Sequence, residues 1–155
     1  MKFVCSLFVV ADIARAKDFY SRALGQRIVT DFGENVAFEG GFAIHQRDHY
    51  EKLIDGRQVI QGGNDAELYF EHDDVLAIEA ALKEEGVEFV HGTREQPWRQ
   101  RVLRFYDPDR HIVEIGESLE HLSYRLWKEG MTEKEIGEIT MMGEEFARKA
   151  IRERS

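Results

Sequence analysis

Apolar and polar positions along the chain repeat one plan twice. The apolar run Phe3 to Val10 reads as a strand leading into Asp12. Ile13, Ala16, Phe19, Tyr20, Ala23 and Leu24 then recur at helical spacing, and Gly25 ends that stretch. Later Leu68, Tyr69 and Phe70 run into Asp73, and Val75, Ile78 and Leu82 mark a second helix that ends at Gly86. Asp12 and Asp73 are expected as N-caps, and the two glycines as left-handed helix ends. Three short strand-like segments follow each helix. They are 27–30, 35–38 and 42–45 in the first copy, and 88–90, 102–106 and 112–115 in the second. One β-α-β-β-β copy has too small an apolar face to stand alone, so the two must share burial.

The pattern sets the organisation. Module one covers 1–46, a polar, glycine-bearing linker 47–65, and module two 66–117, together one unit 1–117. From 118 to 155 the period is purely helical. Leu119, Leu122 and Leu126 share a face, Gly130 and Gly143 interrupt, and Thr132 with Glu135 forms a capping box. Met131 to Ile151 loosely resembles a helix-turn-helix pair, but its glutamates argue for a packed appendage rather than a DNA reader. Trp98 sits on a long loop, 91–100, and is expected as a lid, an interface residue or a core-edge plug.

Charge narrows the partners. The net charge is −9, from 30 acidic and 21 basic residues, which disfavours a nucleic-acid surface. No long apolar run or signal peptide is present, so no membrane is expected and the reading is cytoplasmic. A single cysteine excludes an internal disulfide. The apolar tail residues Leu119, Leu122, Leu126, Trp127, Phe146 and Ile151 suggest a homodimer.

The duplicated plan resembles the vicinal oxygen chelate superfamily, which includes glyoxalase I, bleomycin resistance proteins, fosfomycin resistance proteins and extradiol dioxygenases. The resemblance rests on Val9-Val10-Ala11-Asp12 into Phe19-Tyr20 and Leu24-Gly25, on Phe105-Tyr106-Asp107-Pro108-Asp109, and on Ile112-Val113-Glu114-Ile115. It spans Lys2 to Glu117. It implies an α+β fold of two half-barrel modules facing each other, plus a C-terminal helical extension. One departure is Arg110, where the family usually has glycine. A left-handed backbone there would strain an arginine.

The resemblance also implies a site. Counted offsets and strand parity place Cys5, His45, Glu67 and Glu114 at the four metal positions. That mixed set suits a divalent ion such as Zn, Ni, Mn or Fe. Glu67 and Glu114 are the expected catalytic carboxylates, while Arg104, Tyr69 and Trp98 are expected to contact substrate. The alternative is no cofactor at all. Two inward carboxylates need a metal, an arginine or protons, and Arg104 can neutralise either of them. Four readings therefore stand. One is a metal-dependent lyase, isomerase or transferase acting on a small molecule. Another is a metal-free binder that sequesters a small molecule, anionic or aromatic, with the net acidity favouring cationic ligands. A third is an Fe(II) dioxygenase, disfavoured because only one histidine is in place. The last is a regulatory module whose helices bind a protein.

Overall fold

A computed structural model describes all 155 residues. In chain order the elements are β1 (Ser6–Val10), α1 (Ile13–Asp18), β2 (Ile28–Asp31), β3 (Asn35–Phe38), β4 (Phe42–Gln46), α2 (Arg47–Leu53), β5 (Glu67–Glu71), α3 (Val75–Glu84), β6 (Phe89–Glu95), β7 (Arg101–Tyr106), β8 (Ile112–Gly116), α4 (Leu119–Lys128), α5 (Glu133–Thr140) and α6 (Glu144–Arg154). One π-helical turn, Phe19–Ala23, extends α1. The duplicated β-α-β-β-β plan is present, and so is the helical tail. The segment expected as a linker begins with a helix, α2.

The strands form two four-stranded sheets with matching order, β1-β4-β3-β2 and β5-β8-β7-β6. In each, the strand before the helix pairs in parallel with the last strand of its module, Ser6 with Phe42 and Glu67 with Ile112. The chain divides into two compact units. The first holds Met1–Ala66 together with Tyr106–His111; the second holds Glu67–Phe105 and Ile112–Ser155.

In the first unit, alternation sends Val10, Val36, Phe38, Phe42 and Ile44 to the side covered by Ala16, Phe19 and Tyr20. Phe38 stacks on Phe42 at 4.7 Å, and Tyr20 leans on both rings. In the second unit Leu68, Leu103, Phe105, Val113 and Ile115 are buried on the side of α3, with its Val75 and Leu82. Each such side chain contributes about 1.5–3 kcal/mol relative to exposure.

Asp12 caps α1 as expected, accepting from the amides of Ala14 and Arg15. The cap of α3 is Asp74 rather than Asp73, one residue later than the sequence suggests. The Asp74 amide donates to the ring of His72, while the Asp74 carboxylate accepts from Ala77. Asp73 is drawn away to Ser118 and Arg154.

The turn 107–111 is tied into the first unit. Asp107 is fully buried and accepts from the Tyr20 hydroxyl at 2.7 Å, from His111 Nδ1 at 2.8 Å, and from the amides of Asp109 and His111. Asp109 accepts from the Ala11 amide at 2.7 Å. Arg110 is indeed left-handed, with φ of 69°. That conformation costs about 1–2 kcal/mol, and its guanidinium lies 4.3 Å over the Tyr106 ring, which returns about 0.5–1 kcal/mol.

The tail carries its own core of Leu122, Leu126, Ile136, Ala147 and Ile151, with Leu119 and Ile139 against it. Thr132 and Glu135 form the expected capping box. Gly137 has a packing reason. A Cβ there would lie 2.4 Å from the backbone of Gly143 and Glu144, so only glycine lets α5 approach the start of α6. The tail's apolar residues are therefore largely consumed within it.

Candidate functional site

The two modules place their expected site residues on the sheet side away from the covering helix. In the first unit, His45 of β4 lies opposite Val9 of β1 and Asn35 of β3. The parity of Val9 extends back through Leu7 to Cys5, a half-buried thiol just ahead of β1. Both ring nitrogens of the buried His45 are engaged. Nδ1 meets the Asn35 amide at 3.0 Å, and Nε2 meets His49 Nδ1 at 2.7 Å. The two imidazoles stack nearly parallel, 6° apart. Burial lowers the His45 pKa, and the neighbouring His49 lowers it further. His49 comes from α2, four residues on, and its Nε2 lies 3.4 Å from Glu34.

In the second unit Glu67 and Tyr69 of β5, Arg104 of β7 and Glu114 of β8 share a face, with Tyr69 opposite Glu114. Arg104 joins the two carboxylates. Its Nε donates to Glu67 Oε2 at 3.0 Å, and its Nη2 pairs with Glu114 Oε2. Its third nitrogen lies 3.4 Å from His91 Nε2. Glu114 is the buried member, with 9% of its side chain exposed, against 31% for Arg104 and 40% for Glu67. A buried carboxylate without a cation would be costly, and the guanidinium supplies that cation.

Tyr69 continues the polar line. Its hydroxyl donates to Glu71 at 2.9 Å and accepts from Gln100 at 3.1 Å. Burial and the Glu71 carboxylate push its pKa up to about 12, against the donor from Gln100. Gln100 in turn accepts from Trp98 Nε1 at 2.9 Å and donates to the Glu117 carbonyl at 2.7 Å. Trp98 itself is partly exposed. Hydrogen bonds thus connect the exposed loop to the Tyr69 phenol.

The expected metal quartet is Cys5, His45, Glu67 and Glu114. His45 is spent on Asn35 and His49, and the two carboxylates are spent on Arg104. No three His, Cys, Asp or Glu side chains are grouped to hold a metal ion. Within the second unit the two carboxylates are paired with a cation, Arg104, and are not left free for a metal ion.

Three partners escaped the sequence reading: Asn35, His49 and Gln100. For His49 a signal existed, since it stands four residues from His45. Asn35 and Gln100 act across strands or through a loop, and no spacing announces that.

The glyoxalase-like domain model matches residues 3–120. None of the curated proteins searched matches the chain. Among solved structures, a protein of unknown function from Agrobacterium tumefaciens is 45% identical, with a TM-score of 0.70, over 76% of this chain and 94% of that one. A lactoylglutathione lyase from the same organism is 19% identical, with a TM-score of 0.58, over 76% and 93%. A genomically encoded fosfomycin resistance protein from Listeria monocytogenes is 18% identical, with a TM-score of 0.58, over 75% and 92%. The last two likenesses bear on fold alone. The tail beyond residue 120 lies outside the family match.

Proposed function

The chain belongs to the glyoxalase-like domain family, and from that premise we propose that it binds a small organic molecule without a resident metal. One observation carries this reading: Arg104 holds Glu67 and Glu114 together. A guanidinium between two carboxylates does the charge neutralisation that a divalent ion would otherwise do. The ligand lies on the open face of the second sheet, against Glu67, Tyr69 and Arg104. Glu67 is the accessible carboxylate there, and the net charge of −9 draws cationic molecules toward it. Tyr69 offers its phenol, and Trp98 reports on the face through Gln100.

The homodimer is part of this proposal. Exposed Phe3, Val4, Val29 and Phe32 leave apolar surface on the first unit for a second copy. Sedimentation at micromolar concentration tests it, and a monomer there counts against it.

Elemental analysis of freshly purified protein tests the metal-free claim. The expected result is substoichiometric zinc, nickel, manganese and iron, unchanged by Glu114→Gln. Stoichiometric metal that Glu114→Gln removes overturns the reading. It would favour instead the metal-dependent lyase or isomerase, with Glu67 as base.

A further inference from the structure

A second polar cavity lies within the second unit. It has a volume of about 270 Å³ and is lined by Asp73, Asp74, Val75, Leu76, Arg101, Glu117 and His121. It is distinct from the face that carries Arg104. Arg101 and Arg104 stand three residues apart on β7, so alternation points them to opposite sides of the sheet. Arg101 shares its parity with buried Leu103 and Phe105.

Three acids line this cavity; two are paired with arginines, and the third, Asp74, caps a helix. The Asp73 carboxylate is held by Arg154 at 2.6 and 3.1 Å and by the Ser118 hydroxyl at 2.5 Å. Asp74 caps α3 through the Ala77 amide at 2.9 Å. Glu117, with 1% of its side chain exposed, receives Arg125 Nε at 2.8 Å, Arg125 Nη2 at 2.9 Å and His121 Nδ1 at 2.8 Å. Glu95 lies opposite Arg101 on β6, but its carboxylate is taken by Arg99 and Arg125. Apart from the second Asp74 oxygen, what the cavity keeps uncommitted is basic. The Arg101 guanidinium makes no ion pair, and His121 has its Nε2 in reserve while Glu117 fixes its ring through Nδ1.

The arginines that neutralise Asp73 and Glu117 both come from the tail, Arg154 from α6 and Arg125 from α4. Without them the same corner would carry uncompensated carboxylates. We infer that the C-terminal helices turn this acidic corner of the second sheet into a binding site for a small oxyanion, a carboxylate or phosphate held by Arg101 and His121. Arg101 presents the planar donor fork that suits either group. His121, ring-locked by a buried carboxylate through Nδ1–H, supplies a second contact across the cavity when its ring carries both protons, because Nε2 otherwise only accepts. The volume, just below that of ordinary ligand pockets, suits a small molecule carrying the anionic group. The tail thereby has a role beyond packing, because the site is incomplete without its two arginines.

Inorganic phosphate and malonate are the probes, titrated separately into the full chain and followed by calorimetry and by the His121 ring resonances. The expected result is saturable binding of at least one of them, with the His121 signals shifting. Arg101→Gln is expected to weaken it about tenfold or more. That side chain has no protein partner to lose, so the fold should tolerate the change, and an unaltered melting temperature checks this. Arg154→Ala is expected to weaken binding severalfold by releasing Asp73. Three results would overturn the inference: no saturable binding of either probe, binding that Arg101→Gln leaves intact, or binding that Arg104→Met abolishes while Arg101→Gln does not. The last outcome would place the anion on the proposed ligand face instead. Failure of the metal-free reading leaves all of these outcomes unchanged, because neither variant at this cavity touches Glu67 or Glu114.

Discussion

The last strands of the two modules run in parallel with the same kind of partner, yet they settle their polar residue by opposite means. On β4, buried His45 is hydrogen-bonded to Asn35 and His49, and burial, with His49 beside it, lowers its pKa. On β8, Glu114 is buried against a full positive charge, Arg104. A histidine can shed its proton when water is removed, so hydrogen bonds suffice. A carboxylate on the same scaffold keeps its charge only if a cation follows it in. Duplication thus copied the backbone and left the electrostatics of each half free to diverge.

Substitution is the strongest way to break this comparison. Arg104→Met should cost about 3 kcal/mol in chemical denaturation, because it leaves Glu114 buried and uncompensated. His45→Gln in the first unit should cost only about 1 kcal/mol, the worth of exchanging hydrogen bonds. Adding Glu114→Gln to Arg104→Met should recover part of the loss. Equal costs for the two single changes would show that the halves are not handled differently.

The pH response sharpens the contrast at a smaller scale. In the first unit, burial pushes His111 down, but the Asp107 hydrogen bond and charge outweigh it, and the net shift is upward. Its stabilisation is fully present below about pH 6.5, the unfolded value, and is lost as pH rises through the folded value. His45 is lowered, so its contribution is present above about pH 6.5 and is lost as pH falls through its folded value. The second unit relies on carboxylates. Arg154 holds Asp73 down, and Lys83 holds Glu79 down to about 2. Burial raises Glu117, but Arg125 overcomes this and the net shift is downward. Those contributions are present above about pH 4 and are lost as pH falls through the folded values. Urea denaturation from pH 5 to 9 should therefore show an alkaline-side fall that His111→Gln flattens. An unchanged slope in that variant would remove the histidine from the account.

The helix caps give the smallest effect. Asp12→Ala and Asp74→Ala should each cost about 1 kcal/mol. The Asp12 change should be the larger, because Asp12 serves two amides and Asp74 one. Thermal melts of the two variants rank them, and a reversed order would contradict the cap assignment.

Much of the fold was legible because it depends on local rules. The alternation of β3 and β4, the glycines closing the helices at 25 and 86, and the Thr132–Glu135 box each show within a few residues. The shift of the second cap was not legible. Asp73 and Asp74 are chemically alike, and the choice between them depends on Arg154, 81 residues away. Of the candidate site, Glu67, Arg104 and Glu114 share a face, the side that the family offsets and strand parity assign them. It could not say that the arginine takes both carboxylates at once.

By itself the sequence determined the repeat, the sheets' inward and outward faces and the helical tail, because hydrophobic period is written residue by residue. Only the tertiary structure decided the pairings: Arg104 with Glu67 and Glu114, Arg125 with Glu117, Arg154 with Asp73, and His45 with Asn35 and His49. Most of these partners stand on different elements. A charged group's protonation and availability follow from what burial brings beside it, and no local pattern in the chain encodes that neighbour.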